Sequence, residues 1–229
     1  MPYAIEPAAV PVLPIHGSDA WFPVHRIYCI GRNYAEHAKE MGAEAVSRAQ
    51  PVFFLKPADA IVSKGGDIPY PPATKDLHHE VEMVVALSCG GRDINAANAL
   101  DCAFGYGVGL DLTRRDLQAA AKAKGLPWDV AKGFDASAPV SALRPASEIG
   151  HPAHAQLSLR VNDELRQQTD IDTMIFPVAE IIAELSKLFE LRAGDLIFTG
   201  TPAGVGPLHR GDRFRAELQG VAALEGRIV

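Results

Sequence analysis

Two glutamates, Glu80 and Glu82, stand two positions apart in a segment that is otherwise typical of a buried strand. The apolar run 83–87 (Met-Val-Val-Ala-Leu) follows them directly. Because successive side chains of a strand point to opposite faces, the two carboxylates are predicted to share one face, about 7 Å apart. Two like charges beside an apolar run are costly unless a cation lies between them, and a hard divalent ion with oxygen ligands meets that need. The alternative is an exposed strand edge with two solvated glutamates.

A third carboxylate, Asp111, ends the glycine-dotted apolar segment 104–110, which is predicted to be a strand. Ligands of metal sites commonly converge in loops at strand ends. Three anionic ligands leave about three of six octahedral positions for water or substrate, the open arrangement that a catalytic Mg²⁺ or Mn²⁺ needs. Alternatively, Asp111 is a turn or N-cap residue just before Thr113. His78 is predicted on the same strand face as the glutamates, either at the site or behind it.

His37 and Glu40 lie three positions apart in a segment predicted to be helical, so they share one helix face at about 5–6 Å between Cβ atoms. A carboxylate beside an imidazole raises the pKa of the histidine and orients its ring. This pairing is typical of a general base that removes a proton from water. An ordinary exposed pair on a surface helix is the alternative.

Lys132 stands among apolar neighbours in the segment 128–134 (Trp-Asp-Val-Ala-Lys-Gly-Phe). There it could neutralise an enolate or a substrate carboxylate, or extend to solvent. The glycine-rich segment 199–206 (Thr-Gly-Thr-Pro-Ala-Gly-Val-Gly) lacks the Gly-Lys-Ser/Thr ending of a phosphate-binding loop, and no helix pattern follows it. We therefore predict no nucleotide site. Its backbone amides and two threonine hydroxyls are expected to approach a small anionic ligand.

The overall composition is that of a globular chain of 229 residues, with 48% hydrophobic and 22% charged residues, long enough for one large core. A net charge of −6 without a basic run argues against nucleic acid or an anionic membrane as partner. No apolar run approaches the about 20 residues of a membrane span. No signal peptide is predicted, and three cysteines at no metal-like spacing (Cys29, Cys89 and Cys102) are expected to be reduced thiols of a cytoplasmic protein, with Cys29 buried.

Strands and turns dominate the predicted elements that position these side chains. Strands are predicted at about 26–30, 51–56, 78–87, 104–110 and 196–199. Helices are predicted over Asn33–Met41, from a Thr113 cap to Lys124, and from Pro177 at the first helical position to Phe189. Alternating residues around Asn162-Asp163 predict a hairpin. Because strands outnumber helices, the expected fold is a β-rich α+β domain over 26–229, preceded by an arm or short leading strands at 1–25.

Several segments together resemble the fumarylacetoacetate hydrolase family, over roughly residues 26–228. The segments that carry the resemblance are 31–37 (Gly-Arg-Asn-Tyr-Ala-Glu-His), 54–57 (Phe-Leu-Lys-Pro), 78–82 (His-His-Glu-Val-Glu), 109–116 (Gly-Leu-Asp-Leu-Thr-Arg-Arg-Asp), 124–128 (Lys-Gly-Leu-Pro-Trp), 131–132 (Ala-Lys) and 194–206 (Gly-Asp-Leu-Ile-Phe-Thr-Gly-Thr-Pro-Ala-Gly-Val-Gly). The large N-terminal domain of the longer family members is not part of the match. The chain therefore resembles the short, acylpyruvase-like branch.

The resemblance implies a mixed β-sandwich roll, usually a homodimer, with a divalent metal, either Mg²⁺ or Mn²⁺. It implies hydrolysis of a carbon–carbon bond in an acylpyruvate, with fumarylpyruvate of aromatic-acid breakdown as the expected substrate. The residue roles that it implies are metal ligands at Glu80, Glu82 and Asp111, a catalytic dyad of His37 and Glu40 in a lid segment, and substrate contacts at Lys132, Gln118 and Thr201. Arg32 is expected to contact a substrate carboxylate.

Three other functions stay open at this point. An oxaloacetate decarboxylase needs the same chelation and enolate but no attacking hydroxide, and an isomerase or decarboxylase of dienedioate intermediates shares the fold. A metal-binding protein without catalysis would explain the carboxylates but would leave the His37–Glu40 pair without a role. The acyl group is expected to be selected by pocket shape, to which the loop 43–50 contributes.

Overall fold

The computed structural model describes residues 2–40 and 51–229, and strands dominate it. The strands are, in chain order, β1 (Val12–Pro14), β2 (Trp21–Pro23), β3 (Ile27–Gly31), β4 (Val52–Lys56), β5 (Ile61–Ser63), β6 (Gly66–Ile68), β7 (Leu77–His79), β8 (Val81–Leu87), β9 (Ala103–Leu110), β10 (Thr113–Arg114), β11 (Ala138–Val140), β12 (Arg144–Pro145), β13 (Gln156–Val161), β14 (Glu164–Asp170), β15 (Leu196–Phe198), β16 (Gly206–Leu208), β17 (Arg213–Leu218) and β18 (Ala222–Ile228). The α-helices are α1 (Ala35–Glu40), α2 (Arg115–Ala123), α3 (Asp129–Lys132), α4 (Ala146–Ile149) and α5 (Val178–Leu188), with 3₁₀ turns at Ala58–Ala60, Ala96–Cys102 and Ile171–Thr173. The predicted β-rich α+β class is confirmed.

Two large sheets form the body of the domain. The first has the order β4-β3-β15-β8-β9-β11-β5, with β12 paired to β9, and the second has the order β14-β13-β17-β18-β6. One apolar core fills the space between these sheets and α5, and a smaller core lies on the other face of the first sheet. Burial of both faces makes the first sheet a rigid base for any site at the ends of its strands.

Strand β8 is buried along its whole length because it faces a core on each side. Val81, Met83 and Val85 enter the larger core, while Val84 and Ala86 enter the smaller one. The alternation of a strand therefore sends Glu82 toward the same side as Val84. The sequence pattern thus fixes the direction of this carboxylate, although it lies within an apolar strand.

Two predicted elements are confirmed in detail. Strands β13 and β14 form the hairpin, and Asn162 and Asp163 adopt positive φ angles of 49° and 67°, as a tight turn of the type that matches strand twist requires. Helix α5 buries Ile181 and Leu185 against the larger core. Pro177, however, has ψ 160° and is the N-cap, so the helix begins one residue later than predicted.

Other predicted element boundaries were also wrong. The strand expected at 78–87 is divided into β7 and β8, with Glu80 between them. Thr113 does not cap a helix but lies in β10, where its hydroxyl donates to the Asp111 carbonyl, because β10 must pair with β7 before α2 can begin at Arg115. Helix α1 begins at Ala35 rather than Asn33. The predicted helix end at 41 and the loop 43–50, which was expected to shape the acyl pocket, lie outside the described residues.

The N-terminal strands β1 and β2 pair with each other, and the amide of Leu143 donates to the carbonyl of Pro14 at 2.9 Å. The division at residue 25 stays a prediction. All three cysteines are free, with Cys29 buried as predicted, and the Sγ atoms of Cys89 and Cys102 lie 2.7 Å apart, a proximity that their spacing did not predict. None of the helices within 2–40 and 51–229 has the length and hydropathy to cross a membrane.

Candidate active site

Three buried carboxylates converge where β8 and β9 meet at one edge of the first sheet. The antiparallel register pairs Val81 with Leu110, so Glu80 and Asp111 occupy the next rung, and the Asp111 amide donates to the Glu80 carbonyl at 2.8 Å. Glu82 stands opposite Gly109 in the same register. One oxygen from each of Glu80, Glu82 and Asp111 lies within 4.8 Å of the others.

Cationic side chains contact two of these carboxylates. The Lys132 ammonium, at the end of α3, donates to Glu80 Oε2 at 2.7 Å and to Asp111 Oδ2 at 2.6 Å. Arg115, the first residue of α2, donates from Nη2 to Glu80 Oε1 at 2.5 Å. Burial opposes ionisation of Glu80, but the charges of Lys132 and Arg115 outweigh it and hold the pKa of Glu80 below its ordinary value. Glu80 is therefore a carboxylate at neutral pH.

Glu82 is electrostatically different from Glu80. The amide of Gly200 donates to its Oε2 at 2.6 Å, and in the part of the chain that the structure describes Glu82 forms no salt bridge. Burial, reinforced by the negative charges of Asp111 and Glu80, raises the pKa of Glu82 well above its ordinary value. Among the three carboxylates, Glu82 is therefore the one whose negative charge no salt bridge with a described residue compensates.

The cluster fits a hard divalent cation. The donors are three carboxylates, which Mg²⁺ and Mn²⁺ accept, and a cation bound between them would favour the ionised form of Glu82 that burial opposes. The Oδ1 atom of Asp111 lies 2.9 Å from the Lys56 ammonium but makes no well-directed hydrogen bond. It therefore keeps a lone pair that a metal ion could use. Glu80, Glu82 and Asp111 are thus the residues that could hold the ion.

His37 faces the same cavity from α1, and Glu40 contacts it from the side away from the cavity. The imidazole Nδ1 lies 3.2 Å from Glu40 Oε2, and the amide of Gly204 holds the Glu40 carboxylate at 3.2 Å. Burial lowers the pKa of His37 in spite of the raising influence of Glu80 and Glu40. The sequence predicted a raised pKa for His37 from its contact with Glu40. That prediction was wrong, because the effect of burial outweighs the effect of Glu40. A neutral imidazole at neutral pH is the form that can accept a proton.

Asn33 explains why the chain turns at this point and why α1 starts late. Its side-chain amide donates to the carbonyls of Phe176 and Thr199, and its Oδ1 accepts from the Phe176 amide. A fully buried asparagine with these bonds fixes the backbone between β3 and α1. His37 is thereby held at a defined distance from the carboxylate cluster.

The predicted substrate residues Arg32, Gln118 and Thr201 all line the cavity. The complete lining, within the described residues, is Ile30, Gly31, Arg32, His37, Phe54, Glu80, Glu82, Asp111, Arg115, Gln118, Lys122, Trp128, Lys132 and Thr201. Gln118 is buried and accepts from Arg115 Nη1 at 2.6 Å. Every residue to which the sequence assigned a catalytic, metal or substrate role lines the cavity except Glu40, which contacts it through His37.

The glycine-rich loop contacts two carboxylates of the protein itself, and its predicted approach to a small anionic ligand stays a prediction. The amides of Gly200 and Gly204 donate to Glu82 and Glu40, respectively. The hydroxyls of Thr199 and Thr201 donate to carbonyls of β8, at 3.0 and 2.9 Å. Thr201 also accepts from a buried glutamine, Gln167. The loop therefore orients both the metal-site carboxylate and the carboxylate beside the histidine.

His78 lies behind the site. Its Nε2 contacts Asp76 at 2.9 Å, and its Nδ1 accepts from Arg115 Nε at 3.4 Å, so it supports the arginine that contacts Glu80. The neighbouring His79 points the other way, toward Gln167 Oε1 at 2.9 Å. The prediction that His78 and the two glutamates share one strand face was wrong, because the strand is interrupted at Glu80.

Four residues of the site were not predicted as contributors: Lys56, Arg115, Lys122 and Trp128. Lys56 has a sequence signal, because it closes the apolar strand β4 directly before a proline, where a lysine is unexpected unless it is paired. Arg115 follows Asp111 by four positions. Its contact with Glu80 could have been predicted only if the residue at which α2 begins had been known. Lys122 and Trp128 become neighbours through the turn between α2 and α3, which no local pattern specifies.

Comparison with known proteins places this geometry among enzymes of related but distinct activities. The model of the fumarylacetoacetate (FAA) hydrolase C-terminal family matches residues 26–229. The mitochondrial oxaloacetate tautomerase of Bos taurus is 44% identical over 211 residues, covering 92% of this chain and 95% of that protein. The mitochondrial oxaloacetate decarboxylase of Dictyostelium discoideum is 41% identical over 202 residues, covering 88% and 92%.

Among solved structures, fumarylpyruvate hydrolase from Pseudomonas aeruginosa, crystallised with Mn²⁺ and pyruvate, superposes with a TM-score of 0.97. It is 49% identical and covers 100% of this chain and 99% of that chain. The mitochondrial location of the tautomerase and the decarboxylase does not agree with a plainly cytoplasmic location, which stays a prediction for this chain.

Proposed function

This chain belongs to the fumarylacetoacetate hydrolase family, and we propose that it is a divalent-metal-dependent hydrolase that cleaves a carbon–carbon bond of acylpyruvates. Fumarylpyruvate is the proposed substrate, and fumarate and pyruvate are the products. The observation that carries the proposal is the convergence, in one cavity, of three buried carboxylates and a neutral histidine with its own carboxylate partner. The similarity to a fumarylpyruvate hydrolase crystallised with Mn²⁺ and pyruvate supports it.

Glu80, Glu82 and Asp111 would hold the ion, Mg²⁺ or Mn²⁺. When bound, it supplies Lewis-acid polarisation of the substrate's 2-oxo carbonyl and a fixed anchor for the adjoining carboxylate. Gly200 fixes the orientation of Glu82 through its amide, so the ligand carboxylates are oriented before substrate arrives.

His37 is the proposed general base. Its ring, oriented by Glu40, accepts a proton from water, and the resulting hydroxide adds to the 4-oxo carbon of the substrate. When the adduct collapses, the bond between carbons 3 and 4 breaks, and its electron pair passes into the enolate of pyruvate. The proton held by His37 can then return to carbon 3, which gives pyruvate, while the acyl half leaves as fumarate.

Lys132 is the proposed electrostatic stabiliser of that enolate. An ammonium group has three N–H donors, and Glu80 and Asp111 occupy two of them. The third is available to the cavity that Lys132 lines. Burial lowers the pKa of Lys132, but Asp111 and Glu80 outweigh it and raise the pKa, so the group stays charged while negative charge develops on the substrate.

The direct test is loss of the enol absorbance of fumarylpyruvate on addition of chelator-treated protein, with and without Mg²⁺ or Mn²⁺. Rapid turnover that depends on the added ion is expected, with fumarate and pyruvate formed in equal amounts. Protein that stays inactive on fumarylpyruvate and on simpler acylpyruvates, after reloading with either ion, would exclude the hydrolase proposal.

Oxaloacetate chemistry is the second candidate, because proteins 41–44% identical over most of this chain are an oxaloacetate tautomerase and an oxaloacetate decarboxylase. Decarboxylation uses the same metal ligands and the same enolate, but no hydroxide has to be made. His37→Asn therefore separates the two activities. It should slow acylpyruvate hydrolysis by about 10²–10⁴-fold, the usual scale for general-base catalysis, and leave oxaloacetate decarboxylation largely intact.

Homodimer formation is part of the same proposal, as is a role in aromatic-acid breakdown. Size-exclusion chromatography with light scattering tests the first, since one chain has a mass of 24.5 kDa and a dimer twice that mass. No nucleic acid or membrane partner is proposed.

A further inference from the structure

One wall of the cavity is built by a face of helix α2. Arg115, Gln118 and Lys122 lie at positions i, i+3 and i+7, which share one helix face, and all three line the cavity. Arg115 and Gln118 contact each other, and Arg115 contacts Glu80. Lys122, one turn farther along the helix, is the member of this face that is not connected to the carboxylate cluster by a hydrogen bond.

The Lys122 ammonium lies over the ring of Trp128, 5.1 Å from the ring centroid, and the side chain is half-buried. In the described part of the chain it forms no salt bridge with a carboxylate. Burial lowers the pKa of Lys122, and the positive charges of Arg115, Arg32 and Lys132 lower it further than Glu80 raises it. The Lys122 ammonium therefore lies near several other positive charges and is held in place by the Trp128 ring.

Arg32 approaches the same cavity from the end of β3. Its backbone has a φ of 61°, in the left-handed region that residues other than glycine seldom adopt. The hydrogen bonds of Asn33 to the carbonyls of Phe176 and Thr199 hold the chain in this conformation. In this conformation Arg32 lines the cavity, although its side chain is more exposed to solvent than that of Lys122.

The charge of the lining favours a substrate with two negative groups. Among the described lining residues, four side chains are cationic and three are carboxylates, namely Arg32, Arg115, Lys122 and Lys132 against Glu80, Glu82 and Asp111. A divalent ion on the carboxylates would make the cavity more positive still. One substrate carboxylate beside that ion would leave Lys122 and Arg32 without an anionic partner.

We propose that Lys122 and Arg32 bind a second carboxylate, at the end of the substrate opposite its pyruvoyl group, and so select dicarboxylic acylpyruvates. This inference rests on the proposed function for the position of the pyruvoyl end. It makes Lys122 and Arg32 specificity-determining residues, whereas Lys132 and Arg115 serve the carboxylate cluster. Oxaloacetate, whose second carboxylate lies two carbons from the 2-oxo group, is too short to occupy both ends in this way.

Two stable 2-oxo acids of equal length test the proposal. 2-Oxoheptanedioate has the seven-carbon chain of fumarylpyruvate and a carboxylate at each end, and 2-oxoheptanoate lacks only the distal carboxylate. Neither has the 4-oxo group that cleavage requires. Titration calorimetry with Mn²⁺-loaded protein should show the diacid binding at least about tenfold more tightly, since a charge-assisted hydrogen bond contributes on that scale.

Lys122→Met keeps the aliphatic chain over Trp128 and removes the charge. It should lower diacid affinity by about tenfold or more and leave monoacid affinity unchanged. Arg32→Asn, which tolerates positive φ, should act in the same direction. Lys124→Met is the matched control, because Lys124 is exposed two positions beyond Lys122 and does not line the cavity.

Turnover gives an independent readout. With Lys122→Met, the KM for fumarylpyruvate should rise while the KM for acetylpyruvate, which has no distal carboxylate, stays constant. Equal loss for both 2-oxo acids, an unchanged preference in both variants, or no binding of either acid to the wild-type protein would overturn the assignment. Failure of the hydrolase proposal is seen separately, as absence of fumarylpyruvate cleavage by wild-type protein that still prefers the diacid.

Discussion

Replacing Lys132 by methionine should destabilise the metal-free protein much more than the metal-loaded protein. The Lys132 ammonium is buried and lies 2.7 Å from Glu80 Oε2 and 2.6 Å from Asp111 Oδ2. Methionine has a similar length and shape but no charge, so it leaves two buried carboxylates with less compensation. A divalent ion held by the same carboxylates would supply the missing positive charge.

The size of the effect follows from the burial of the pairs. Removing one partner of a buried ion pair costs about 3–5 kcal/mol of unfolding free energy. The lower value applies here, because each carboxylate retains another cationic partner in the variant. Glu80 is still paired with Arg115, and Asp111 is still paired with the Lys56 ammonium at 2.9 Å. For a chain of this size about 1 kcal/mol corresponds to 2–4 °C, so a loss of about 3 kcal/mol lowers Tm by about 6–12 °C.

Differential scanning calorimetry in excess chelator and in excess Mn²⁺ measures both states of wild type and Lys132→Met. Lys187→Met is the control, because Lys187 pairs with Glu184 at the similar distance of 2.6 Å, but at an exposed site. An exposed ion pair contributes about 0–1 kcal/mol to stability. The Tm of Lys187→Met should therefore differ from that of wild type by only a few degrees in either buffer.

Equal losses of Tm with and without Mn²⁺ would refute the reasoning, because they would show that the ion and the lysine do not compensate the same carboxylates. An unchanged Tm in chelator would refute it as well, since the lysine would then contribute no net stabilisation. Calorimetric titration adds a second check. Lys132→Met should bind Mn²⁺ more tightly, because a positive charge beside the ligands has been removed.

Three further expectations concern the surroundings of the carboxylate cluster. Glu82→Gln removes one of three anionic ligands, so Mn²⁺ affinity measured by calorimetry should fall by at least about tenfold, and unchanged affinity would remove Glu82 from the ligand set. Gly200→Ala places a Cβ 2.7 Å from the Asn33 Cβ at a φ of 93°, so urea unfolding should show a loss of about 2–4 kcal/mol, whereas a loss below 1 kcal/mol would mean that the loop can move freely. Burial lowers the pKa of His79 to about 4, so the unfolded chain binds more protons than the folded one between pH about 6.5 and 4, and stability is lost as pH falls through this window, by about 3 kcal/mol. His79→Gln should flatten this pH dependence in metal-free urea titrations, and a slope equal to that of wild type would contradict the assignment.

Local patterns in the sequence determined several parts of this protein. The alternation around β8 assigns Val84 and Glu82 to one side of the strand, the Asn162-Asp163 pair specifies the hairpin, and the apolar spacing after Pro177 specifies α5. These features were predictable because each depends on residues that are neighbours along the chain or one turn apart. Residue types alone also predicted the oxygen-rich character of the carboxylate cluster.

The tertiary structure decided how those residues work together. Glu80 and Asp111 become neighbours through the register of β8 and β9, and Lys132 reaches them from a short helix on a separate segment. The pKa of His37 shows the difference most directly. Its neighbour Glu40 predicts a raised pKa, but burial in the folded chain lowers it. Desolvation depends on every atom packed around a group, and sequence spacing cannot provide that sum.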